Sequence, residues 1–81
     1  MLTVTLYTKD GCGLCDEVKA ELAELAQAFP HKLQEVDITK DSDLFARYRF
    51  TIPVVKMGEQ TLKAPISKSQ LQTALQNESK K

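Results

Sequence analysis

Val4-Thr5-Leu6-Tyr7-Thr8-Lys9-Asp10-Gly11-Cys12-Gly13-Leu14-Cys15 is the stretch whose reading decides the fold. Leu2 to Tyr7 alternates apolar and polar side chains, the period-two pattern of a strand, and Lys9-Asp10-Gly11 supplies the turn that ends it. Beyond the turn the period changes. Leu14, Val18, Leu22, Leu25 and Phe29 recur every three or four residues, which predicts an amphipathic helix of about four turns that begins at Cys12 and stops before Pro30.

Working outward, Leu33 to Ile38 reads as a second strand. A return to the sheet through a helix makes it parallel to the first, so the chain opens with a right-handed βαβ unit. Asp41 or Ser42 can cap a second helix with Leu44, Phe45 and Tyr48 on its apolar face and Arg47 and Arg49 in water. Val54–Met57 and Thr61–Ala64 flank Gly58-Glu59, where a glycine at the first central position suits a type II′ hairpin. Ser67-Lys68-Ser69-Gln70 has the spacing of a capping box, and Leu71, Ala74 and Leu75 give the stripe of a last helix. The expected domain is a single one over residues 1–76, with 77–81 a fraying tail.

Composition narrows the function. A chain of 81 residues holds one modest core. Eleven basic and eleven acidic side chains cancel, which argues against nucleic acid or an anionic membrane as partner. No segment reads as a secretory leader or a membrane span, so a cytoplasmic monomer is expected. Two cysteines are too few for a disulfide-scaffolded secreted miniprotein, and in a reducing compartment a lone CxxC points to redox chemistry. Zinc usually takes four ligands, and the cysteines with His31 offer at most three, so no metal is expected.

Two residues between cysteines at a helix start put the sulfurs about one turn apart, within reach of a reversible disulfide. Thiolate is the reactive form, and a free thiol titrating near 8.5 is only slightly ionised at neutral pH. At a helix start the first N–H groups have no internal partner, so donors and the positive end of the dipole face Cys12. Lys9 can add a cation, while Asp10 and Asp16 oppose it; a lowered thiol pKa, less extreme than in a strong oxidant, is the expected balance. On a helical wheel Cys15 falls at the flank of the apolar stripe and Cys12 lies farther from it. Cys12 is therefore the expected nucleophile and Cys15 the resolving thiol.

The order β-α-β-α-β-β-α with CxxC at the first strand-to-helix junction resembles the glutaredoxin-like branch of the thioredoxin-fold superfamily. Leu6-Tyr7-Thr8-Lys9 before Gly11-Cys12, the Val36-Asp37-Ile38 strand and Thr51-Ile52-Pro53-Val54-Val55 carry the resemblance, which spans nearly the whole chain. It implies an α/β fold with a four-stranded mixed sheet and helices on both faces. It also implies a cis Pro53 facing the CxxC pair, with the backbone of Ile52 open to a substrate peptide or glutathione.

The activity implied is a dithiol thiol–disulfide oxidoreductase acting on protein or glutathione-mixed disulfides. No cofactor is bound, and glutathione is a candidate co-substrate, with Lys9, Gly11, Ile52, Pro53 and Ser67 as candidate binding residues. Tyr7 and Leu14 support the site, Leu14 as the residue most exposed to a docking partner. The chain departs from the family at Ala64-Pro65-Ile66-Ser67-Lys68-Ser69, where glutaredoxins carry a Gly-Gly pair and aspartates, and at Gly13-Leu14, where proline is common. These departures make the thiol–disulfide assignment firmer than the glutathione one. They leave open the alternative of a non-catalytic binding or iron–sulfur-cluster-carrying module.

Overall fold

The computed structural model describes residues 1–80. Strand β1 (Leu2–Thr8) leads through helix α1 (Gly13–Leu25) to β2 (His31–Asp37). A short 3₁₀ turn, Ile38–Lys40, and helix α2 (Ser42–Tyr48) follow, then the hairpin β3 (Val54–Met57) and β4 (Gln60–Lys63), and last helix α3 (Lys68–Ser79). The sheet order is β2-β1-β3-β4. β1 runs parallel to β2 and antiparallel to β3, with Leu6 opposite Val55 and Tyr7 opposite Val54.

Alternation along these strands sends side chains to two faces, and each face is covered. Val4, Leu6, Val55 and Met57 meet Val18, Leu22 and Leu25 of α1 and Leu71, Ala74 and Leu75 of α3 in the main core. On the opposite face Val54 packs with Ile38 and Tyr48, joined at the edge by Tyr7, Leu44, Phe45 and Ile52. The mixed sheet with helices on both faces expected from the sequence is the fold observed.

Local signals explain most element ends. Asp41 caps α2 by accepting the N–H groups of Asp43 and Leu44 at 2.9 and 3.2 Å. Ser67 caps α3: its hydroxyl accepts the Gln70 N–H at 3.1 Å, and its own N–H donates to Gln70 Oε1 at 2.8 Å, completing the capping box. Gly58 turns the hairpin at φ +55°.

β4 spans Gln60–Lys63, one residue earlier than the expected Thr61–Ala64, β2 ends one residue before Ile38, and three boundaries differ from the sequence reading by more. Helix α1 ends at Leu25 instead of reaching Phe29, because the residue before Pro30 is kept out of the α region and the last turn tightens, with Ala28 N–H bonding Leu25 C=O at 3.2 Å. β2 begins two residues early, at His31, whose Nδ1 lies 2.8 Å from the Phe29 carbonyl. Helix α3 continues to Ser79, past the expected domain end at residue 76, with Gln60 Nε2 donating to both Ala74 C=O and Glu78 Oε2. Residue 81 of the expected tail lies outside the described residues.

Candidate redox site at the start of the first helix

Gly11, at φ +78°, turns the chain from β1 into α1 and leaves Cys12 as the helix N-cap in an extended conformation. Cys12 and Cys15 are joined in a disulfide, with Cα atoms 5.2 Å apart. The Cys15 N–H points at Cys12 Sγ from 3.1 Å, so an amide with no partner inside the helix faces the sulfur. Cys12 is partly exposed whereas Cys15 is buried to 1% exposure, an asymmetry that follows from their places on the helix face. Leu14 stands between them at 59% exposure.

The peptide bond Ile52-Pro53 is cis, and Pro53, buried, lines one groove together with Leu14. A second cis bond, Ala64-Pro65, lies beside it, and the Ala64 N–H donates to the Pro53 carbonyl at 3.1 Å. Together they form the far side of a groove of about 90 Å³, opposite Leu14, Glu17, Val18 and Glu21 of α1.

The remaining candidates are distributed around this centre. Lys9 and Gly11 line a polar basin on another flank of the helix start, shared with Asp10, Asp16, Lys19, Glu35 and Asp37. Ser67 follows the groove residue Ile66, with its hydroxyl engaged as the α3 cap. Tyr7 sits against Tyr48, ring centroids 4.8 Å apart, and belongs to the smaller core cluster with Ile52.

One expectation is corrected. The Ile52 N–H is not open to a substrate, since it donates to the Tyr48 carbonyl at 3.1 Å where α2 unwinds. Its carbonyl makes no backbone hydrogen bond among the described residues.

The groove acids Glu17 and Glu21 were not singled out by sequence. On a helix they read as ordinary solvent-facing positions, and their one signal is the i, i+4 spacing that puts both on one side of Val18. Nor does any helix among the described residues have the length and apolar character to cross a membrane.

Comparison with known proteins agrees with this geometry. The family described as "Glutaredoxin-like domain (DUF836)" matches residues 3–76. The X-ray structure of the structural genomics target XcR50 from X. campestris is similar at 30% identity and TM-score 0.75, over 91% of this chain and 96% of that one. Protein Ne2328 from Nitrosomonas europaea is similar at 21% identity and TM-score 0.75, over 90% and 89% of the two chains. Oxidised thioredoxin O2 from Arabidopsis thaliana shares the fold at 16% identity and TM-score 0.75, over 95% of this chain and 74% of that one. With a CxxC pair at the first strand-to-helix junction, a thioredoxin-like fold and the family match spanning nearly its whole length, the chain belongs to the glutaredoxin-like domain family.

Proposed function

We propose that this domain is a dithiol oxidoreductase that reduces disulfides in proteins or mixed disulfides with glutathione. The observation that carries this reading is the Cys12–Cys15 disulfide at the N-terminus of α1, with one sulfur reachable and the other in the core. In the reduced protein, Cys12 thiolate attacks one sulfur of a substrate disulfide. The second substrate sulfur leaves as a thiolate and takes a proton from solvent. Cys15, giving its proton to solvent, then attacks Cys12 Sγ and expels the first substrate thiolate, which leaves the internal disulfide. Two electrons from an external thiol couple restore the dithiol.

Burial supports the division of roles, because a shielded thiol reaches its neighbour one turn away more readily than an outside disulfide. Lys9 and Gly11 on one flank, and Pro53, the Ile52 carbonyl and Ser67 on the other, are the groups we assign to substrate or glutathione binding. A monomer without bound cofactor, working in the cytoplasm, is the form in which this chemistry is proposed.

The test is a redox titration of the purified protein against glutathione buffers, resolved by mass spectrometry. An internal disulfide that forms and breaks at a defined potential supports the dithiol reading, and a persistent adduct on Cys12 supports glutathione-linked turnover. A pair that never changes state refutes both and moves the protein to the non-catalytic class.

A further inference from the structure

The groove beside the disulfide contains a carboxylate with an unmet need. Glu21 is half-buried, its Oε2 is shielded from solvent, and that atom has no hydrogen-bond partner among the described residues. Buried polar atoms are nearly always paired, so an orphan in a groove marks a donor supplied from outside. A carboxylate is acceptor-only, and a cation satisfies it best.

The shape of the groove narrows the choice. Its volume of about 90 Å³ is far below the roughly 300–1,000 Å³ of sites that enclose a whole small molecule, so it admits one side chain of a larger partner. Leu14, Val18, Pro53, Pro65 and Ile66 make an apolar channel, and the acids Glu17 and Glu21 sit along its α1 side. An alkyl stem with a cationic head matches both features.

Lys68 is the nearby charge of this chain. Its Nζ is hydrogen-bonded to Glu24 Oε2 at 2.5 Å, which above all holds its pKa up, and Glu21 adds only a weaker through-space attraction. The Lys68 ammonium thus bonds to Glu24 and acts on Glu21 only through space, as a charge of the sign that an incoming cation would carry.

We propose that this groove receives a lysine or arginine side chain of a protein substrate, with Glu21 binding the cation while the substrate disulfide lies over Cys12. Glu21 thereby becomes a specificity determinant for basic sequence next to the cysteine under attack. The assignment rests on the oxidoreductase reading and adds to it the chemical class of the substrate.

Single-turnover kinetics test it. Pre-reduced protein is mixed with short peptides whose one cysteine is capped by thionitrobenzoate, and release of the chromophore is followed. Lysine, norleucine or glutamate occupies each of the two positions on either side of the cysteine in turn. At one position lysine should react about tenfold faster than norleucine, the scale of a charge-assisted hydrogen bond at a half-exposed site. Glu21→Gln should bring that ratio to within about twofold, while Lys68→Met, removing that like charge, should widen it. A ratio unchanged in Glu21→Gln, no widening in Lys68→Met, or no lysine preference at any position overturns the groove assignment alone. Failure to react with every peptide brings down the oxidoreductase reading and this assignment with it.

Discussion

The Cys15 backbone N–H lies 3.1 Å from Cys12 Sγ, so one of the free donors in the first turn of α1 is aimed at the atom that carries negative charge once the disulfide is opened. The Cys15 sulfur has no such exposure to the outside, its residue being only 1% accessible. Helix geometry thus makes the two thiols unequal before any substrate arrives.

Unequal labelling should follow. When the reduced protein at neutral pH meets a substoichiometric amount of iodoacetamide, Cys12 should take up label at least about tenfold faster than Cys15. Peptide mass spectrometry on quenched samples reads the ratio. Equal labelling would mean that burial does not set the roles, and the order of attack would have to be reassigned.

Two leucines of α1 should separate core from contact surface. Leu22 is fully buried between sheet and α3, whereas Leu14 stands 59% exposed between the cysteines. Leu22→Ala should cost about 2–5 kcal/mol in urea unfolding, as core truncations do. Leu14→Ala should stay within about 0.5 kcal/mol of the parent. A large loss from Leu14→Ala would show that its side chain supports the fold instead of facing a partner.

The sequence discloses those parts of the structure that rest on local pattern. Alternation in Leu2–Tyr7, the three-and-four spacing from Leu14 on, and the Ser67…Gln70 box each act within a few residues, and each element appears where its pattern starts it, although α1 stops at Leu25, short of Phe29. The placement of Cys12 at the helix start is legible for the same reason. The groove is not, because it pairs Glu21 of α1 with Pro65 and Ile66, which lie beyond the hairpin and far along the chain. Nor does any local rule show that Ile52 spends its N–H on Tyr48, since that bond depends on how α2 unwinds into the cis Pro53 segment.

Gly58 combines two constraints, which makes its replacement informative. Its φ of +55° suits glycine, and a Cβ built there would run into the Glu78 carboxyl group, which Gln60 holds at 2.8 Å. Gly58→Ala should therefore destabilise the domain by more than about 1 kcal/mol. Adding Glu78→Ala should relieve the collision but leave the backbone penalty, giving partial recovery in urea midpoints. Full recovery would assign the whole cost to the collision, and no recovery would assign it to the backbone.

Acid stability should carry the signature of Asp37, which pairs with Thr8 across the β1–β2 ladder at the edge of the polar basin. The Thr39 hydroxyl donates to Asp37 Oδ1 at 2.6 Å and the Thr39 N–H at 2.9 Å, and these bonds, in that order and ahead of the charge of Lys40, hold its pKa below the ordinary carboxylate value. Donors that favour the ionised form make the folded state bind a proton less readily than the unfolded chain does. The stabilisation is therefore fully present above the unfolded value near 3.9 and is lost as the pH falls through the lower folded value. Thr39→Val removes the larger cause and keeps the backbone donor, so its stability should fall less steeply below about pH 4 than that of the parent. Asp37→Asn abolishes the titration and should flatten this part of the acid limb further. Urea unfolding at a series of pH values from neutral to acid measures both slopes. If the parent and both variants lose stability in parallel, carboxylates elsewhere in the fold set the acid limb, and the Asp37–Thr39 bonds position the end of β2 without linking it to pH.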